Sequence, residues 1–346
     1  MSSNSDHDLD RMAMGGDDDF PMMAPPPPMG ATEFMLQLAI HGAFSFGRRV
    51  LLAPVTRVAT LLTVEGELVR QGRIVDEGKD GQRPGFDGII GCIKHIYIRE
   101  GPYGYFRGVW TEAVASVPCT IIEEMSSSLV SSAVEAILGE RAAGMPQISL
   151  LLWSIAASAA VAQISSVVHD PTQTVVTCLL GDTIPAPVGG NNGEPTSYKF
   201  SGARAATKAI YQRHGLKGFF RGVSLAAGAS VAYRGSYYLL LHLFLSNLSR
   251  EAQTAYGIWF ARILAVVAGL VAQPIEVVRR RLMLTAGEDE PPYKGVVDCV
   301  RTIVRTEGVA TLWSGFRVRM LFTLAGFALT VVQDFVSRPQ SSPKQA

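Results

Sequence analysis

Charge is scarce in this chain. Only 18% of the 346 residues are charged while 48% are hydrophobic, whereas a soluble globular domain carries about a quarter charged. The formal net charge is +1, so no basic surface points to a nucleic-acid partner. Cysteine is sparse too. Cys92, Cys119, Cys178 and Cys299 sit singly with no CxxC spacing, which excludes a sequence-readable zinc site or redox pair. Cys92 and Cys299 fall in comparable short helical stretches and read as packing positions.

Catalytic and cofactor motifs are missing as well. His41, His95, His169, His214 and His242 lie on separate segments, as surface or packing histidines do. Neither a calcium-binding loop nor a phosphate-binding P-loop occurs. An enzyme is not expected, nor is any cofactor or metal. No basic region precedes an early apolar core, so no signal peptide is expected, and an Arg-rich presequence is absent. Residues 1–30 are acidic and carry Pro25 to Pro28; a disordered tail is expected there.

What is present is a repeat. Three landmarks recur in fixed order: the prolines Pro54, Pro171 and Pro274; then Phe86-Asp87-Gly88, Phe200-Ser201-Gly202 and Tyr293-Lys294-Gly295; then Glu100-Gly101, His214-Gly215 and Glu307-Gly308. The offset from the aromatic of the second landmark to the first residue of the third is the same each time: 86 to 100, 200 to 214, 293 to 307. Phe106-Arg107-Gly108, Phe220-Arg221-Gly222 and Trp313-Ser314-Gly315 follow. Such self-similarity is the sign of a repeat architecture.

The apolar stretches fit this plan. Spanning helices are expected at Glu33–Val64, Val109–Leu138, Ile148–Leu180, Val223–Leu248, Ile258–Leu284 and Phe316–Val336. Short surface helices are expected at Gly88–Tyr97, Gly202–Arg213 and Val296–Thr306. The first should show an apolar face through Ile89, Ile90, Ile93 and Ile96. Of the adjacent Arg48 and Arg49, at least one should face a wet interior, and Arg48 is the better placed to snorkel. Seven acids and seven bases lie within residues 65–107, so loop charge sets no orientation there. The expected fold is an all-α membrane protein with six transmembrane helices in three tandem two-helix repeats, related by pseudo-threefold symmetry. The expected units are an acidic, proline-rich tail (1–30), repeats at 31–145, 146–250 and 251–338, and a short tail (339–346). A soluble helical solenoid would not need so little charge.

From about Phe34 to Val336 the chain resembles the mitochondrial carrier family. Gln273-Pro274-Ile275-Glu276-Val277-Val278-Arg279 is similar to the proline, acid and base that open each repeat of that family. Arg279-Arg280-Arg281-Leu282-Met283-Leu284 resembles the run of three arginines and three methionines of ADP/ATP carriers, and Tyr233-Arg234 and Asp298-Cys299 also look like that branch. The resemblance implies a multi-pass protein of the mitochondrial inner membrane that exchanges ADP and ATP by alternating access. It implies phosphate contacts at Arg49, Arg234 and Arg279, with Tyr233 or Tyr237 against the base. It also implies cardiolipin as a lipid partner, near the surface helices and even-helix starts.

The same resemblance exposes departures. Carriers close one end of the cavity with ion pairs between the acid and base of the three proline motifs. Here the acid positions read Thr56, Gln173 and Glu276, and the base positions Ala59, Val176 and Arg279. Glu276 and Arg279 are therefore expected to lack charged partners, with Thr56 or Gln173 offering neutral hydrogen bonds instead. At the other end only Asp334 of the acids and bases remains. Two further contact positions, near Ala115 and Phe322, are apolar. The residues expected to carry gate or signature roles are thus Pro54, Thr56, Pro171, Gln173, Pro274, Glu276, Arg279, Arg280, Arg281 and Asp334. Two readings stand side by side: adenine-nucleotide exchange, and a carrier-fold subunit that does not transport but sits in an inner-membrane protein complex. A carrier for a smaller substrate has no residue in its favour.

Overall fold

The computed structural model describes residues 31–74, 85–86, 88–139, 144–184, 197–245, 247, 249–290 and 292–321. The expected tails, most of the 181–197 loop, Asp334 and all but the first six residues of the sixth expected span lie outside these. The described chain is helical: α1 (Ala31–Leu51), α2 (Ala53–Thr63), α3 (Glu65–Arg70), α4 (Gly88–Glu100), α5 (Val109–Leu138), α6 (Gln147–Leu180), α7 (Ala203–His214), α8 (Val223–Leu245), α9 (Arg250–Leu284) and α10 (Val296–Thr306). Single 3-10 turns at Pro102–Phe106, Gly215–Phe220 and Val309–Trp313 follow α4, α7 and α10.

Among the described residues, two helices are long and apolar enough to cross a membrane by length and composition, over Ile148–Leu180 and Phe260–Gly287. At about 1.5 Å per residue the 34 residues of α6 reach roughly 50 Å, more than the ~30 Å hydrocarbon layer. The first expected span is divided. The chain turns at Leu52, and Pro54 stands in the first turn of α2, where its missing N–H costs nothing. Pro118, Pro171 and Pro274 instead lie inside continuous helices. α9 begins at Arg250, eight positions before the expected Ile258.

The long helices pack in chain order: α1 on α5, α5 on α6, α6 on α8 and α8 on α9. Their outer faces keep large apolar side chains exposed, among them Trp110, Leu129, Leu152 and Ile263, as a lipid-facing surface requires. The three segments that follow the prolines touch one another: α2 meets α6 and α9, and α6 meets α9. This is the closed end of the bundle, and we call it the proline end.

Three apolar clusters lie at that end, one under each short helix. Each short helix buries a two-residue stripe at i and i+4: Cys92 and Ile96, Ala206 and Ile210, Cys299 and Ile303, all 0% exposed. Spacing by four keeps both residues on one face. The expected apolar positions of α4 divide between two sides. Ile96 is buried, but Ile90 and Ile93 point outward, because the inward stripe is set by Cys92. Burial pushes the Cys92 and Cys299 thiols up to about 12, so both are inert packing groups.

The last glycine landmark is needed for its backbone. Gly315 has φ +73°, and a Cβ there would stand 3.0 Å from the Ala59 carbonyl of α2. Gly315→Ala is expected to cost about 1–3 kcal/mol, read as a lower thermal midpoint of the detergent-purified protein. An unchanged midpoint would contradict the close approach.

Candidate functional site

At the proline end α9 reaches both of its counterparts. Glu276, Arg279 and Arg280 share one helix face, being spaced i, i+3 and i+4. The Glu276 carboxylate accepts from Arg280 Nε at 2.9 Å and stands 3.7 Å from Arg279. Arg319, at the start of the sixth expected span, lies 3.5 Å from the same carboxylate. Arg280 Nη1 donates to the Thr60 hydroxyl of α2 at 2.8 Å. Arg279 forms an ion pair with Asp170 of α6, whose side chain is fully buried.

These contacts correct the expectation that Glu276 and Arg279 lack charged partners. The acid expected at Gln173 stands three residues earlier, at Asp170. About one helical turn separates the two, so both can serve the same face. The Thr56 hydroxyl donates to the carbonyl of Leu52, the residue that precedes α2, at 3.1 Å. Gln173 is half-buried beside the Asp170 face.

Below this layer lies a second, more deeply buried one. Arg281 pairs with Glu307 of the third landmark. Its counterpart by distance from the proline is Leu61, yet the matching Glu100 is also paired. Its partner is Arg57, one turn earlier on α2, and both side chains are fully buried. Arg57 Nη2 donates to the two Glu100 oxygens at 3.1 and 3.0 Å and to the Asp182 carbonyl at 2.8 Å. Its Nη1 donates to the Leu179 carbonyl at 2.9 Å and to that of Leu180. Glu100 also accepts from Thr183 at 2.7 Å and Tyr198 at 3.0 Å. Burial and the neighbouring Glu100 push the Tyr198 phenol up to about 12, so it remains a donor.

The connecting segments add a third layer. The Asp182 carboxylate takes Arg73, Arg107 at 2.6 Å, and the backbone N–H groups of Lys199 at 3.0 Å and Phe200 at 2.9 Å. The Arg107 guanidinium also lies 3.4 Å over the Tyr198 ring. The Tyr293 hydroxyl donates to buried Glu67 at 2.6 Å. Arg70 bridges Glu67 and Glu288. Burial, reinforced by Glu67, raises the Tyr293 phenol above its ordinary range, which keeps it a hydrogen-bond donor.

The expected substrate contacts lie further up the helices. Arg49 of α1 forms an ion pair with Glu112 of α5, a carboxylate buried at 6% exposure; its neighbour Arg48 is exposed. Arg234 of α8 stands 3.9 Å from Glu123. Tyr237 packs edge-on against Tyr238, ring centres 5.6 Å apart. Tyr233 lines a cavity of about 280 Å3 between α8, α9 and residues 316–321, with Gly269, Gln273, Glu276, Phe316 and Arg319 among the other lining residues. Gln273 Nε2 donates to the Ser314 carbonyl at 2.9 Å. Among the described residues no group of three His, Cys, Asp or Glu could hold a metal ion.

Of the expected site residues, Tyr233 lines the cavity with Glu276; Arg279 and Arg280 lie beside that carboxylate; and Arg49 and Arg234 face Glu112 and Glu123. Asp170, Arg57 and Arg319 were not among the expected residues. The signal for Asp170 was present: an acid immediately before the helical proline. Allowing charged groups to shift by one turn would also have found Arg57.

A family model described as mitochondrial carrier protein matches residues 32–134 and 253–338. Among curated relatives, a probable ADP,ATP carrier protein of Arabidopsis thaliana is 26% identical over 83% of this chain and 84% of its own length. The ADP,ATP carrier protein 3 of Saccharomyces cerevisiae is 23% identical over 88% and 93%. Mitochondrial substrate carrier family protein X of Dictyostelium discoideum is 24% identical over 73% and 77%.

Proposed function

The chain belongs to the mitochondrial carrier protein family, and from that premise we propose that it exchanges adenine nucleotides by alternating access. Family membership makes it a multi-pass protein of the mitochondrial inner membrane, a transporter rather than an enzyme. In the proposed arrangement six helices span the bilayer in three repeats (31–145, 146–250 and 251–338), with cardiolipin against the short helices. No bond is made or broken. A phosphate-bearing solute enters the cavity, meets arginines and crosses as the closed end changes.

The observation that carries this reading is the arginine excess beneath Tyr233. Three guanidinium groups, of Arg279, Arg280 and Arg319, surround Glu276 at the base of the bundle, and Asp170 adds a second carboxylate through Arg279. Guanidinium forks suit phosphate geometry. The relatives named ADP,ATP carriers support the same substrate. The Asp170–Arg279 pair weakens the case against a working gate, because a charged tie between α6 and α9 is present after all.

One observation favours the second reading, a subunit of an inner-membrane complex that does not transport. Arg49 is already paired with buried Glu112, so a phosphate must displace a carboxylate to reach it. Liposomes decide between the two. The purified protein, reconstituted over an interior of unlabelled ADP, is expected to take up labelled ADP and ATP. Arg49→Ala should lower that uptake at least tenfold, since a charge-assisted contact contributes about 1.5–3 kcal/mol. A folded, inserted protein with no counter-exchange would overturn the transport reading.

A further inference from the structure

We propose that Arg319 is a substrate-binding residue, and that the phosphate of an incoming nucleotide takes Arg319 from the gate acid Glu276. The inference rests on the transport reading and gives one of its three arginines a specific role. It concerns a link between binding and opening that the motif residues alone do not provide.

The geometry has three parts. Arg319 and Glu276 line the same cavity as Tyr233, so one solute can touch all three. The Arg319 side chain is 40% exposed, whereas Glu276 is 13% exposed. The guanidinium therefore presents itself to the cavity while the carboxylate lies beneath it. Arg319 Nη1 stands 3.5 Å from the Glu276 carboxylate and 3.4 Å from the Gln273 amide oxygen. Short charge-assisted bonds run about 2.7–2.9 Å. Arg280 occupies the same Glu276 oxygen at 2.9 Å, and Arg319 comes second to it.

The sequence gives the position a meaning. The resemblance places a contact near Phe322, which is apolar. Arg319 stands three positions earlier, about one helical turn. Asp170 precedes Gln173 by three, and Arg57 precedes Leu61 by four. All three charges are thus displaced by a turn toward the N-terminus of their own segment. For Asp170 and Arg57 the displaced charge is paired. For Arg319 the displacement brings a cation down onto the gate acid. A phosphate bound there competes directly with Glu276, so occupancy of the site loosens the tie that holds the proline end.

The test uses the full-length protein in liposomes for exchange and in detergent for equilibrium ADP binding. Arg319→Gln is expected to raise the KM for ADP at least tenfold, with a smaller fall in maximal rate. Arg319→Lys should restore most of the loss. Glu276→Gln should tighten ADP binding several-fold, because it removes the competing carboxylate. A purely structural Arg319 would lower the rate and the melting temperature together and leave KM in place, and that overturns the proposal. So does a Glu276→Gln protein that binds ADP no more tightly than the parent. If the parent protein neither binds nor exchanges ADP, the transport reading fails first; a working parent indifferent to Arg319→Gln strikes this inference alone.

Discussion

Arg57→Ala is expected to destabilise the protein by about 3–5 kcal/mol, the cost of breaking a buried ion pair from one side. The guanidinium is wholly enclosed, and its two terminal nitrogens reach one carboxylate and three carbonyls. Removing it leaves Glu100 buried, with the Thr183 and Tyr198 hydroxyls still donating to it but no paired cation among the described residues. It also removes a donor from the end of α6, where the Leu179 and Leu180 carbonyls accept from Arg57 and Leu179 accepts in addition from the Asp182 N–H at 3.3 Å. The readout is thermal unfolding followed by a thiol-reactive dye, which labels Cys92, Cys178 and Cys299 only once they leave the core. Pairing Arg57→Ala with Glu100→Gln should recover part of the loss, giving a coupling toward the top of the about 0.5–3 kcal/mol range for contacting residues. Additive losses would mean that the pair is not a unit.

Asp170→Ala should rank second, costing about 3 kcal/mol by the same one-sided logic. Asp170 is buried and Arg279 nearly so. The fall is expected in both unfolding midpoint and exchange rate, because this is a charged tie between α6 and α9. Asp170→Arg combined with Arg279→Asp should return much of the stability. Exchange and stability untouched by Asp170→Ala would remove the pair from the gate.

Much of this architecture can be read along the chain, and the part that cannot has one physical cause. Apolar stripes and glycines are tied to register. Cys92 with Ile96, Ala206 with Ile210 and Cys299 with Ile303 must repeat at one offset, since each fills the same kind of hole. A charge on a long side chain is freer. Arginine needs only the right helix face, and steps of three or four residues keep that face. Matching charge at fixed positions therefore stops at Gln173 and Leu61 and passes over Asp170 and Arg57, each about one turn earlier. The depth of Arg48 and Arg49 predicts that at least one faces a wet interior; Arg49 meets Glu112, which lies on another helix and could only be matched to it in three dimensions. Pro54 signals a kink in the first apolar stretch, and the chain turns two residues ahead of it, at Leu52.

The Asp182 carboxylate has a bearing on how this end of the molecule can come apart. Two arginines from the first part of the chain and two backbone amides from beyond the 181–197 loop all terminate on its two oxygens. Ties that end on separate acceptors can be released one after another, each with its own small barrier. Ties that share one acceptor are released together, since shifting the carboxylate weakens every one of them. Separation here should accordingly be all-or-none, with a steep temperature dependence and no long-lived half-open state. Asp182→Asn, which keeps the shape and weakens all four bonds at once, should speed that single event rather than divide it into steps.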